Sequence, residues 1–172
     1  MNQKHLVLVG LMGAGKTTVG RRCARQLDRE FVDLDDLIMT HAAMSIDEMF
    51  REQGEDRFRA LERDVVVDVC ASPVPLVIAC GGGTVVDAEN RRRLRDVGTV
   101  VWLRAPTAVL AARVGNDERR PLLAGDPSGA LARLAVARAD AYAEAADVVV
   151  DTDGRDVEAV ASAVLAGFGE TG

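Results

Sequence analysis

The sequence predicts an α/β layer sandwich around a parallel sheet. Five short apolar runs recur along the chain, with the look of buried strands. Segments with apolar residues three and four apart separate them, and a helix between strands is what a parallel crossover needs. The 172 residues are 48% hydrophobic, enough for one domain with a real core.

Leu6 to Val9 is the first strand, closed by Gly10. Val19, Cys23 and Leu27 then fall at helical spacing. Phe31 to Leu34 reads as the second strand. Asp35 to about His41 and Ser45 to about Gln53 read as short helices, with Ser45 and Glu48 as a capping box. Phe58, Leu61, Val65 and Val69 step by three and four, so Gly54 to Cys70 is a further helix, ended by Pro73 and Pro75. Leu76 to Ala79 is the third strand, stopped by Gly81-Gly82-Gly83. Asp87 to about Asp96 is a basic, solvated helix. Thr99 to Leu103 is the fourth strand, and Thr107 to about Val114 a helix after Pro106. Residues 115–129 hold five glycines and prolines among charges, and a loop of that length tends to be functional. Ala130 to Ala146 is an alanine-rich helix, Val148 to Val150 the fifth strand and Asp156 to about Leu165 the last helix.

The formal charge of −6 argues against nucleic acid or a membrane surface as partner, since both call for a basic excess. Two histidines and three cysteines leave little for a histidine triad or a zinc cage. The cysteines are far apart and form no CxxC pair, so a reducing compartment and small buried thiols are expected. No apolar run reaches the length of a signal core or a membrane span, so the expected location is cytoplasmic.

Gly10-Leu11-Met12-Gly13-Ala14-Gly15-Lys16-Thr17 fits G-x-x-x-x-G-K-[ST], directly after a strand and before a helix. Glycines let backbone N–H groups turn inward around an anion, and the helix start adds positive potential. Lys16 would reach the outer phosphates and the Thr17 hydroxyl would bind Mg²⁺. Only two lysines exist, Lys4 and Lys16, and one falls on the required position. Neither follows an asparagine, which removes the N-K-x-D guanine reader and with it a GTPase.

Asp33 and Asp35 close the second strand, and ligands of open α/β sheets sit beyond such strand ends. The pair reads equally as site carboxylates or as a helix N-cap, a job open to Asp35. Asp68 reads as a solvated helix residue and Asp151 as a turn residue. Arg59, with Glu62 three residues on, Arg120 before Pro121, and Arg138 with Tyr142 one turn on could converge on two anions, a transferring phosphate and an anionic acceptor. A lone arginine is more often a solvated charge.

Together these motifs closely resemble the shikimate kinase family. The matches run in order over about residues 5–165. They are Gly10 to Thr18 with Gly20, Asp33-Leu34-Asp35, Gly54-Glu55 with Phe58-Arg59 and Glu62, Gly81-Gly82-Gly83, Arg120 to Leu123, and Arg138 with Tyr142. The resemblance implies a three-layer P-loop kinase fold, with a five-stranded parallel sheet of order 2-3-1-4-5 and a lid near 114–127. It implies transfer of the ATP γ-phosphoryl to the 3-hydroxyl of shikimate, on the route to chorismate and the aromatic amino acids. By the same resemblance Asp35 takes the substrate hydroxyl, Arg59 and Arg138 hold its carboxylate, and Gly81 to Gly83 line its ring, within helices at about 35–62. Gly13, Ala14, Gly15, Lys16, Thr17, Thr18 and Arg113 would bind ATP, with Arg120 swinging onto the phosphates. Thr17, and Asp33 through water, would face Mg²⁺. Phe50 and Phe58 match apolar substrate contacts or serve the core. A monomer is expected. Ala79-Cys80 and the stretch 153–157 depart from the family pattern. Related kinases of gluconate or nucleotides, and a non-catalytic nucleotide-binding regulator, are the alternatives.

Overall fold

The computed structural model describes residues 4–115 and 126–171. The five strands are β1 His5–Val9, β2 Phe31–Asp33, β3 Val77–Ala79, β4 Gly98–Arg104 and β5 Val148–Asp151. They form one sheet of order β2-β3-β1-β4-β5, and every pairing is parallel. This is the order the family resemblance implies. The helices are α1 Lys16–Leu27, α2 Leu34–Ala42, α3 Ile46–Cys70, α4 Ala88–Val97, α5 Thr107–Val114, α6 Pro127–Ala145 and α7 Val157–Glu170.

β1 is central and buried on both faces, which is why it reads as a run of apolar residues without alternation. Leu6, Val7, Leu8, Ile78, Val100 and Val101 are fully excluded from solvent, with helices packed on either side. The close approach of α1 to the sheet depends on Gly20, where a Cβ would lie 2.5 Å from the Phe31 ring.

Several boundaries differ from the sequence reading, each for a local reason. Leu34 belongs to α2 and not to the strand, because the Asp33 carboxylate caps the helix by accepting from the Asp35 N–H at 3.1 Å. The N-cap is thus Asp33, and Asp35 lies in the first turn. The stretches on either side of Gly54 fuse into α3, broken at Gly54 by φ 80° and ψ 168°. The Ser45–Glu48 capping box is present in both directions. α6 starts at Pro127, three residues earlier than Ala130, since Asp126 caps it and proline suits the first turn. A short 3₁₀ turn, Thr84–Val86, joins the glycines to α4. α7 runs on to Glu170.

All three cysteines are free thiols. Burial pushes Cys23 and Cys70 up to about 11 and raises Cys80 well above the ordinary thiol range, so they behave as small apolar groups. Among the described residues no helix is long and apolar enough to cross a membrane.

Candidate active site

The carboxyl ends of β1, β2 and β3 deliver three pieces of chain to one crevice. β1 runs into the phosphate loop, where Gly10, Gly13 and Gly15 all take positive φ, at 146°, 81° and 94°. At Gly10 a Cβ would lie 2.4 Å from the Leu103 carbonyl oxygen, so the loop passes β4 too closely for any side chain. Ala14 is buried, Thr18 is exposed on the first turn of α1, and the Lys16 ammonium donates to the carbonyl oxygens of Gly10 at 2.7 Å and Leu11 at 3.0 Å.

β2 brings Asp33 against this loop. Its Oδ2 accepts from the Thr17 hydroxyl at 2.7 Å while Oδ1 caps α2. One carboxylate therefore ties the phosphate loop to the helix that carries Asp35. Thr17 and Asp33 offer hard oxygen donors side by side. That set fits Mg²⁺, which takes one or two protein oxygens together with substrate phosphates and water. No group of three histidine, cysteine or acidic side chains suited to a metal occurs among the described residues.

β3 ends in the three glycines, and each is covered by a different charged side chain. A Cβ at Gly81 would lie 2.8 Å from Asp35 Oδ1, at Gly82 3.3 Å from Arg138 Nη1, and at Gly83 2.8 Å from Arg59 Nη2. None of the three takes a positive φ, so steric room is what the glycines supply. Gly82 also faces the phosphate loop, with Met12 N 3.7 Å from its would-be Cβ. The structure thus gathers Asp35, Arg59 and Arg138, from α2, α3 and α6, on one turn beside the phosphate loop.

Each arginine has its own support. Arg59 donates to Glu62 at 2.7 Å and to Glu55 at 3.2 Å, and lies 5.0 Å over the Phe58 ring. Glu62 is only 1% exposed, and its other oxygen accepts from the Thr84 hydroxyl at 2.8 Å. Burial works against the Arg59 charge, but the Glu62 and Glu55 carboxylates hold its pKa above the ordinary value. Arg138 is 7% exposed, and its Nη1 is buried with no hydrogen-bond partner among the described residues. A buried guanidinium nitrogen without an acceptor is costly, and an anion seated there would satisfy it. Phe58 is buried and Phe50 half-buried, their rings 4.9 Å apart, so both pack into the core beside this wall.

On the far side of the loop, Arg113 donates to the Gly13 carbonyl at 3.3 Å and to Thr152 at 2.9 Å and 3.0 Å. The sequence reading missed Thr152. Its position just past the fifth strand was the available signal. Asp68 lies on an exposed face of α3, and Asp151 ends β5 in an ion pair with Arg104. Neither belongs to the crevice. Arg120 and all but the ends of the expected lid at 114–127 lie outside the described residues.

Comparison with known proteins agrees with this geometry. The family model described as shikimate kinase matches residues 12–167. A shikimate kinase of Symbiobacterium thermophilum is 44% identical over 171 residues, covering 98% of either chain. The structure of a shikimate kinase from Acinetobacter baumannii in complex with shikimate superposes with a TM-score of 0.92 at 36% identity, covering 95% of this chain and 92% of that one. A gluconokinase from Sinorhizobium meliloti reaches a TM-score of 0.59 at 16% identity, which shows a shared fold and nothing more. With the phosphate loop, the carboxylate pair, the glycine turn and both arginines in place over nearly the whole length, the chain belongs to the shikimate kinase family.

Proposed function

We propose that this chain transfers the γ-phosphoryl group of ATP to the 3-hydroxyl of shikimate, giving shikimate 3-phosphate and ADP. The observation that carries the reading is the glycine turn with Asp35, Arg138 and Arg59 seated on consecutive residues. One carboxylate and two cations complement an acceptor with a hydroxyl at one end and a carboxylate at the other.

Phosphoryl transfer asks for positioning and charge neutralisation more than covalent chemistry. The phosphate loop from Gly13 to Thr18 cradles the ATP phosphates through its N–H groups, and Lys16 turns from its loop carbonyls to the outer phosphates. Thr17, and Asp33 through water, would hold Mg²⁺, which would offset phosphate charge. Asp35 accepts the hydrogen bond of the attacking hydroxyl and takes its proton as the oxygen bonds to the γ-phosphorus and the bond from that phosphorus to the departing ADP breaks. Arg59 and Arg138 fix the carboxylate, and the small floor of Gly81 to Gly83 lets the ring lie against the backbone. Arg113 flanks the adenine. In this reading Arg120 comes with the lid near 114–127 onto the phosphates. The protein works as a single kinase domain, as a monomer in the cytoplasm.

The test is ADP release with ATP, Mg²⁺ and shikimate, with gluconate and AMP as parallel acceptors. Turnover confined to shikimate supports the reading. Turnover on gluconate or AMP, or ATP binding without any phosphorylated product, overturns it. Asp35→Asn is expected to lower kcat by about 10²–10⁴ while ATP still binds.

A further inference from the structure

Tyr142 is the chain's only tyrosine, one helical turn beyond Arg138 on α6. It is 1% exposed, and its hydroxyl donates to the carbonyl oxygen of Gly82. That carbonyl can only accept, so the single phenolic proton is committed to it and the oxygen lone pairs face elsewhere. The Arg138 guanidinium lies over that same glycine, its Nη1 3.3 Å from where a Gly82 Cβ would be. Burial pushes the Tyr142 phenol up to about 12, and the nearby charge of Arg138 pulls the other way. The opposite end of the ring assembly is also fixed. Trp102 stacks on Tyr142 with centroids 5.4 Å apart, and the Arg104 guanidinium lies 5.6 Å over the Trp102 ring.

Gly82, Arg138 and Tyr142 therefore form a closed set. The hydroxyl binds the glycine carbonyl, and the guanidinium lies over the same glycine. The tyrosine thereby fixes the glycine against which the guanidinium rests. The nitrogen that rests there, Nη1, is the one with no partner among the described residues.

We propose that Tyr142 is a positioning residue for the acceptor. Its hydroxyl fixes the Gly82 carbonyl, and with it the glycine against which Arg138 rests, so that Nη1 faces the acceptor carboxylate. This rests on the proposed shikimate reading and deepens it. Tyr142 makes no contact with the reacting atoms. It acts on binding of the carboxylate before and during transfer alike, so its loss appears in KM and spares kcat.

The experiment is Tyr142→Phe in the full chain, which removes one oxygen and keeps the ring on Trp102. The KM for shikimate should rise about ten- to a hundredfold, within the range for leaving a buried carbonyl without its donor. The KM for ATP and kcat should stay within about threefold. With the methyl ester of shikimate, which lacks the negative charge, wild type and variant should have the same KM within about twofold. A purely structural tyrosine would instead move the constants of both substrates together, and would harm the ester and the acid alike. An unchanged shikimate KM, or an equal penalty on acid and ester, overturns the proposal while leaving the kinase reading intact. Failure of the wild type to phosphorylate shikimate overturns both. Should the variant not fold, biosynthetic 3-fluorotyrosine labels Tyr142 alone. A ¹⁹F shift on saturation with shikimate and not with the ester supports the proposal, and no shift with either overturns it.

Discussion

Gly83→Ala isolates what the glycine turn contributes. Gly83 has φ −109° and ψ −1°, a conformation alanine adopts without strain. The effect of the substitution is therefore steric and local. The new methyl would lie 2.8 Å from Arg59 Nη2, 2.9 Å from Nη1 and 3.1 Å from Cζ. Ordinary contact begins near 3.4 Å, so the guanidinium must retreat by about 0.6 Å or more. It cannot retreat freely, because Nη1 is held to the buried Glu62 at 2.7 Å. Moving it lengthens that bond and, in the proposed reading, misplaces the cation for the acceptor carboxylate. A displacement approaching 1 Å in a positioning group costs on the order of 10²-fold in rate. The expected outcome is a fall of about 10²-fold in kcat/KM for shikimate, with the KM for ATP unchanged. Coupled ADP release at varied shikimate measures it. A thermal melt alongside should move by no more than about 4 °C, about 1 kcal/mol for a chain of this size. A normal kcat/KM in a folded variant refutes the steric argument. So does a loss shared equally between the two substrates.

Three other outcomes follow from the same geometry. Gly54→Ala should lower the melting temperature by several degrees, since φ 80° with ψ 168° is a glycine conformation costing another residue about 1–3 kcal/mol, although nothing lies within 4 Å of its would-be Cβ. An unchanged melt would mean that the break relaxes at no cost. Asp33→Asn should melt like the wild type, because asparagine caps helices as well as aspartate does, yet lose turnover through the missing charge, read by ADP release over a range of Mg²⁺. His5 is held below its ordinary pKa, first by burial and then by Arg29, and its Nδ1 accepts from the Leu76 N–H at 3.0 Å. The neutral form is the folded form, so its contribution is present above about pH 6.5 and lost as the pH falls through the depressed value. Melts from pH 7.5 to 5 should fall more steeply for wild type than for His5→Gln, and parallel slopes would remove His5 from the account.

Much of this molecule was legible in its residues for physical reasons. Buried parallel strands have no polar face, so β1 and β4 stand out through the unbroken apolar runs Leu6 to Val9 and Val100 to Leu103. The phosphate loop is legible because anion binding by backbone requires glycine and lysine at set positions. The strand order, in contrast, came through family resemblance, since nothing local in a strand names its neighbour. The Asp33–Asp35 pair shows where sequence stops. Either residue could cap α2, and only the fold shows that Asp33 does so with one oxygen while its other oxygen meets Thr17. The pairing of each glycine with its own charged side chain was also illegible, because Asp35, Arg59 and Arg138 reach the turn from three separate helices.

The break at Gly54 has a mechanical consequence for the proposed acceptor wall. The segment from Ile46 to Cys70 is two rods joined at one pivot. The second rod carries Arg59 and is anchored through Glu62 to Thr84. The first carries Phe50 and is anchored at its far end by the Ser45 cap, its ring resting on Phe58 across the joint. Rotation about the two torsions of Gly54 re-aims Phe50 and leaves the Arg59 ion pair where it is. Phe50 and the Arg59 ion pair can therefore be adjusted separately, by substitutions on opposite sides of a single residue.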